Sequence, residues 1–185
     1  MANVALVKHP TRLLPRLAAL YGRRRFGRSV EPVQAASHHG GVLVAAGLVE
    51  TAATTSWRKL DPHLALLAQQ AAAGHIGCSW CIDYGHYEGL QRGQDPAKVR
   101  DVAVWRESTV YSDAERLVLE YAEVATRTPV AVDEDLVRRL HEHFSDGQIV
   151  ELAAWVALEN YRSRSDAGLG RRSHGFSDAC ALRAS

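Results

Sequence analysis

The sequence lacks the features that mark membrane proteins, disulfide-rich secreted proteins and disordered chains. Its longest uninterrupted apolar stretch covers residues 42–49, far short of the roughly 20 residues that a membrane helix needs. Only 3 cysteines occur among 185 residues, too few for a disulfide scaffold, and no basic segment leads into an apolar signal core. Hydrophobic residues make up 46% of the chain, which excludes wholesale disorder. We expect one main globular domain in the cytoplasm, with no membrane partner.

Acidic residues are absent before Glu31, although seven Lys and Arg residues occur in the same stretch. The net charge of the whole chain is only +1, which argues against a dedicated nucleic-acid-binding protein. We divide the chain into a basic N-terminal arm with a short helix (1–30), a main domain (31–170) and a polar tail (171–185) that contains Cys180. A solvated surface is the favoured interpretation of the arm. Contact with a membrane surface, a nucleic acid or an acidic subunit is the alternative.

Apolar residues recur at helical spacing nearly throughout, with almost no strand-like alternation. Asp61-Pro62 and Asp95-Pro96 are helix start signals, and further start signals of the capping-box type occur at 112–115 and 145–148. The pattern predicts an all-α domain of about six to eight helices, over residues 12–22, 32–53, 62–74, 77–93, 96–104, 112–125, 133–144 and from 145 onwards. The small-residue segment 32–53 is apolar on more than one side, so we expect it to be buried.

The most informative motif is the Cys-x-x-Cys formed by Cys78 and Cys81. Both cysteines are predicted in the first turn of a helix, where free N–H groups and the positive end of the helix dipole lower the pKa of a thiol. Two cysteines three residues apart on a helix can also form a disulfide. A redox-active dithiol is therefore the favoured interpretation of the pair.

A thiol peroxidase also needs a group that moves a proton, and the spacing offers several candidates. The positions on the same helical face as Cys81 are Tyr84 and Gly85. His86 lies about 140° around the helix from Cys81 and about 80° from Cys78. We take His86 as the best candidate and His75, three residues before Cys78, as the second.

Two other interpretations of the cysteine pair stay open. His75, Cys78, Cys81 and His86 have the ligand types of a zinc site, although structural zinc usually joins two separate segments. Alternatively, the two cysteines are buried and act as small apolar residues.

Two segments carry a resemblance to a known family. The sequence GCSWCID at 77–83, followed by Gly93, and the stretch ENYRSR at 159–164 with GLG at 168–170 resemble the alkylhydroperoxidase D-like (AhpD-like) branch of the carboxymuconolactone decarboxylase superfamily. The resemblance extends over about residues 40–170. It implies an all-helical domain that forms a homo-oligomer, whether trimer, hexamer or dimer.

The resemblance also implies roles for the two cysteines. Cys81 would attack a small hydroperoxide, and Cys78 would resolve the product to a disulfide. An external dithiol, such as a lipoylated or thioredoxin-like protein, would then reduce the disulfide. No metal and no other cofactor is implied.

Two positions depart from the family's peroxidase pattern. The family has a His four residues after the second cysteine, where this chain has Gly85, and a Glu twelve residues before the first, where it has Leu66. Gln69 and Gln70 lie near Leu66, and their amides hydrogen-bond without taking a proton. The dithiol is present, but both members of the usual proton relay are replaced.

Asn160 and Arg164 lie one turn apart on the last predicted helix. The favoured interpretation is structural, because most buried polar groups tie elements together; the alternative is that they face the cysteine site or a bound acid. The same fold also allows a different function, either a non-redox enzyme acting on a small carboxylate lactone or a non-catalytic binding protein. Such an enzyme would need a basic clamp, for which Arg162 or Arg164 is suited, but no cysteine pair.

Overall fold

The computed structural model describes residues 3–26, 30–173 and 175, and all regular structure within them is helical. The all-α prediction is therefore confirmed. The helices of the described residues are α1 (Leu13–Phe26), α2 (Glu31–Ala36), α3 (Gly40–Ser56), α4 (Pro62–Ile76), α5 (Ser79–Gln91), α6 (Pro96–Asp101), a 3₁₀ turn (Val102–Val104), α7 (Asp113–Thr126), α8 (Glu134–His143) and α9 (Asp146–Gly168). None of these helices is long and apolar enough to cross a bilayer. Cys180 of the predicted tail lies outside the described residues.

The chain divides into two compact units, residues 1–57 and 58–185. In the first unit, α1, α2 and α3 pack against one another. The single helix predicted over 32–53 is in fact two, because His39 caps the start of α3 by accepting a hydrogen bond from the Val42 backbone N–H at 3.2 Å. The expected burial of this segment is wrong for the single chain, since Leu48 is 66% exposed and Val49 44%.

In the second unit, α4 is the central helix and packs against α5, α7 and α9. Alanines and leucines cover its buried surface, and the small alanine side chains allow neighbouring backbones to approach closely. The predicted helix starts at Asp61 and Asp95 are confirmed. The Asp61 side chain accepts a hydrogen bond from the His63 backbone N–H at 2.7 Å, and the Asp95 side chain accepts one from the Ala97 backbone N–H at 2.8 Å. These caps fix where α4 and α6 begin, and thereby the position of α5 between them.

Candidate dithiol site

The site begins at the junction of α4 and α5, where the chain turns at Gly77. This residue has a φ of +78°, a left-handed conformation that glycine adopts without a steric penalty. The Gly77 N–H bonds the Gly74 carbonyl at 3.2 Å, and the Cys78 N–H bonds the Ala73 carbonyl at 3.2 Å. This pattern closes the end of α4 as a Schellman motif. It places Cys78 at the N-cap of α5.

The structure brings Cys78 and Cys81 together at the start of α5. Their sulfurs are joined in a disulfide, and their Cα atoms lie 5.3 Å apart. The Cys81 backbone N–H also donates to Cys78 Sγ at 3.3 Å, so the sulfur acts as a helix cap. Both side chains are buried, with 1% and 5% exposure. The structure therefore holds the two sulfurs within bonding distance at the start of α5.

Two charge-bearing side chains follow the cysteines on α5 and are buried with them. Asp83 is 0% exposed and His86 is 4% exposed. Burial lowers the pKa of His86, and the Asp83 carboxylate partly opposes this by raising the pKa. His86 therefore favours the neutral imidazole, the form that accepts a proton.

The segment that follows α9 contacts the start of α5. Ser173 donates from Oγ to Asp83 Oδ2 at 2.9 Å, and its backbone N–H donates to Ser79 Oγ at 3.2 Å. Two residues earlier, Arg171 is buried, with 3% exposure. Ser173, near the start of the predicted polar tail, thus connects the chain after α9 to α5.

The space beside Gly85 is filled by a side chain of α4. A Cβ atom built on Gly85 would overlap Gln70 Nε2 and lie 2.6 Å from Gln70 Cδ. The Gln70 amide thus occupies the position that a side chain at residue 85 would need. Leu66, where the family has a Glu, is an ordinary buried core residue at 6% exposure.

The other candidate proton carriers lie at the edges of this site. Tyr84 is half-buried and stacks on Trp80, with ring centroids 5.2 Å apart and planes 11° from parallel. His75 is exposed in the last turn of α4. Of the two histidines, His86 is therefore the buried one.

Asn160 and Arg164 connect α9 to the end of α7. Asn160 Nδ2 donates to Thr126 Oγ1 at 2.9 Å, and Arg164 donates to the Thr126 carbonyl at 2.9 Å. Arg164 Nε also donates to Asn160 Oδ1 at 3.2 Å. These bonds support the structural interpretation of both residues.

The possible zinc site gains no support from the geometry. Within residues 3–26, 30–173 and 175, no group of three or more His, Cys, Asp or Glu side chains is arranged to hold a metal ion.

Sequence reasoning missed the contact of Gln70 with Gly85 and the contribution of Ser173. Gly85 was the sequence signal that could have revealed the Gln70 contact. A glycine inside a helix lowers stability by about 0.5–1 kcal/mol relative to alanine, so its presence usually has a packing reason. No sequence signal identified Ser173, which lies 90 residues from its partner.

Comparison with protein families supports the resemblance found in the sequence. The model of the carboxymuconolactone decarboxylase family matches residues 43–124, which run from α3 to α7. The chain is similar to the uncharacterized protein YnjA of Escherichia coli K12, with 37% identity over 110 residues. That alignment covers 60% of this chain and only 60% of YnjA.

Solved structures share the fold. One of them is ATU0492 of Agrobacterium tumefaciens, a protein of unknown function grouped with the antioxidant defence protein AhpD. The two structures superpose with a TM-score of 0.70 at 25% sequence identity, over 75% of this chain and 94% of the ATU0492 chain. A single-residue variant of the debrominase Bmp8, in complex with 2,3,4-tribromopyrrole, superposes with a TM-score of 0.80 at 17% identity. The superposition covers 97% of this chain and 95% of the Bmp8 chain. At this level of sequence identity it shows a shared fold.

Proposed function

We propose that this chain, which matches the carboxymuconolactone decarboxylase family over residues 43–124, is an AhpD-like thiol peroxidase that reduces hydroperoxides through Cys78 and Cys81. The observation that carries the proposal is that the two sulfurs are paired in the first turn of α5. A helix N-terminus favours thiolate, the form that attacks peroxides. Non-redox chemistry on a lactone would have no use for this arrangement.

The proposed cycle has three balanced steps. The Cys81 thiolate attacks the outer oxygen of a hydroperoxide, which breaks the O–O bond, gives a sulfenic acid and releases the alcohol once a proton is delivered. The Cys78 thiolate then attacks the Cys81 sulfur, which breaks the S–O bond, forms the disulfide and releases hydroxide, and a proton converts the hydroxide to water. An external dithiol reduces the disulfide and is itself oxidised to a disulfide.

The hydrogen bond from the Cys81 N–H to Cys78 Sγ, at 3.3 Å, suits the resolving role of Cys78. An N–H that points at a sulfur stabilises its negative charge. Cys78 is then ready to attack a sulfenic acid on Cys81, and it is the better leaving group when the disulfide is reduced. Attack by Cys81 on the peroxide follows from the family resemblance.

His86 is the proposed proton carrier. Its burial lowers its pKa, so the neutral ring is available to take a proton from a thiol and return it to the leaving alkoxide. Leu66 and Gly85 offer neither a carboxylate nor an imidazole at the usual relay positions. We therefore expect turnover to be slower than in proteins that retain both groups. His75 is the second candidate.

We also propose that the chain acts as a homo-oligomer. Apolar side chains on α1 and α3 are exposed in the single chain, among them Leu13 at 70% and Leu48 at 66%. Apolar clusters of this kind commonly mark protein–protein contacts. Light scattering on the purified protein should give a mass that is a multiple of 20.3 kDa; a monomer at micromolar concentration would contradict this part of the proposal.

The function is tested by peroxide titration of the reduced protein, with mass spectrometry of each cysteine. The native chain should form the Cys78–Cys81 disulfide with one equivalent of hydroperoxide. Cys78→Ser should stop at a sulfenic acid on Cys81, trapped with dimedone, and Cys81→Ser should not react. Cys180→Ser is the matched control and should behave like the native chain. A pair that stays reduced would reject the peroxidase and leave the lactone enzyme or binding protein.

A second candidate is reductive removal of a halogen, favoured by the fold likeness to the debrominase Bmp8 over 97% of this chain. A dithiol supplies the two electrons that convert a carbon–bromine bond into carbon–hydrogen, giving a disulfide, a proton and bromide. Bromide release from 2,3,4-tribromopyrrole by the reduced protein would favour this reaction. Disulfide formation with hydroperoxide but not with the bromopyrrole would favour the peroxidase.

A further inference from the structure

We propose that Gln70 is a positioning residue of the dithiol site: its amide takes the space of a side chain at Gly85, one helical turn from Cys81, and during the reaction it orients the Cys81 thiolate or a peroxide oxygen without exchanging protons. The inference rests on the proposed function and names a residue that acts in it.

The geometry shows that Gln70 and Gly85 depend on each other. A Cβ on Gly85 would overlap Gln70 Nε2 and would meet Cδ at 2.6 Å and Oε1 at 3.3 Å. By contrast, a Cβ on Gly74, also in a helix, would meet nothing within 4 Å. Any larger residue at position 85 would force the amide out of its present place. Gln70 can therefore keep its position only because residue 85 is a glycine.

Helix spacing places this contact on the side of α5 that carries Cys81. Gly85 follows Cys81 by four residues, which corresponds to about 6 Å along the axis and about 40° around it. Gln70 follows Leu66 by four residues on α4, so these two side chains also share a face. Gln70 therefore reaches α5 from the same face of α4 as Leu66, one turn nearer the end of α4 that leads to Cys78.

The chemistry of an amide differs from that of the groups it replaces. Its N–H donates and its carbonyl accepts, but neither titrates near neutral pH. Gln70 can therefore orient a thiolate or a peroxide oxygen but cannot relay a proton. Charged groups on the helices packed with α4 include Asp83 and His86 on α5 and Glu159 and Arg162 on α9, and Arg162 donates to Gln69 Oε1 at 2.7 Å.

The test replaces the amide with a carboxylate of the same shape, Gln70→Glu, and measures the rate of Cys81 alkylation against pH in the reduced protein. A carboxylate beside a thiol raises the pKa of the thiol. We expect alkylation of Cys81 to be about tenfold slower at pH 7, equivalent to one pKa unit. The matched control is Gln69→Glu, which makes the same charge change one residue away, beside Arg162. It should alter the rate by less than about twofold.

An unchanged Gln70→Glu profile, or equal shifts in the two variants, would overturn the inference. The readout needs no peroxide, so a shift specific to Gln70→Glu would stand even if the native protein failed to reduce hydroperoxides. Conversely, peroxide-driven disulfide formation with an unchanged alkylation profile would remove Gln70 from the site and leave the proposed function in place.

A second variant pair tests the shared space directly. Gly85→His alone should lower the urea midpoint, because the imidazole and Gln70 compete for one position. The double variant Gln70→Ala with Gly85→His should regain the lost urea midpoint. Its rate of Cys81 alkylation should also show an additional pH-dependent step, from titration of the new imidazole. If the single variant Gly85→His and the double variant with Gln70→Ala had the same urea midpoint, the two side chains would not compete for one position, and the inference would be contradicted.

Discussion

Ser173 donates a hydrogen bond from Oγ to the fully buried Asp83 carboxylate at 2.9 Å, which connects the segment after α9 to the helix that carries the cysteine pair. A second bond, from the Ser173 N–H to Ser79 Oγ at 3.2 Å, fixes the same segment to the first residue of α5. The chain after the last helix therefore contacts the start of α5, where Cys78 and Cys81 lie.

Ser173→Ala should make the reduced cysteines more accessible. The substitution removes the bond to Asp83, and we expect iodoacetamide to alkylate Cys78 and Cys81 several times faster because the start of α5 then opens more often. Ser165→Ala, at an exposed position of α9, is the matched control and should leave the rates as they are. Equal rates in all three proteins would mean that Ser173 does not limit access.

Asp83→Asn should lower the pKa of His86 further. Burial already lowers this pKa, and the Asp83 charge is the contribution that opposes it. Asparagine keeps the shape and still accepts from Ser173, so the change is mainly one of charge. Histidine ring resonances followed by NMR against pH give the value directly, with exposed Asp113→Asn as the control. A pKa that rises in Asp83→Asn would show that the carboxylate does not act on His86.

The pH dependence of stability should change when His86 is replaced. Because the folded pKa of His86 is lowered, the unfolded chain takes up a proton as the pH falls through about 6.5 while the folded protein does not. The stability linked to His86 is complete above that pH and is lost as the pH falls below it. The urea midpoint should therefore drop less between pH 7.5 and 5.5 in His86→Gln than in the native protein.

The control for this experiment is His143→Gln, at an exposed position near the end of α8. Its urea midpoint should follow the native pH dependence. A drop in His86→Gln as large as in the native chain would show that His86 contributes nothing to the acid loss of stability.

Local signals were sufficient to predict several helix starts and the position of the cysteine pair from sequence. Asp61 and Asp95 cap helices as expected, since a capping bond spans only two or three residues. The Cys78–Cys81 pair was placed for the same reason, at the start of a helix. The position of Gln70 over Gly85 depends on how two helices pack, and that of Ser173 on a contact 90 residues away. Periodicity carries no information about either.

Two nearby glycines should respond oppositely to alanine. Gly77 has a φ of +78°, where a Cβ costs about 1–2 kcal/mol, so Gly77→Ala should lower the free energy of unfolding by about that amount. Gly74 lies inside α4 with open space around it, so Gly74→Ala should raise it by about 0.5–1 kcal/mol. Urea denaturation measures both changes.

Comparing Gly77→Ala with Gly74→Ala also distinguishes an effect on the stability of the fold from an effect on the dithiol site. The Gly77 turn lets the Cys78 N–H bond the Ala73 carbonyl at 3.2 Å, which holds Cys78 at the N-cap with its sulfur on the Cys81 N–H. Gly77→Ala should therefore also slow disulfide formation by peroxide, whereas Gly74→Ala should not. If Gly77→Ala lost stability but formed the disulfide at the native rate, the turn would matter for the fold alone, and the placement of Cys78 would have to come from α5 itself.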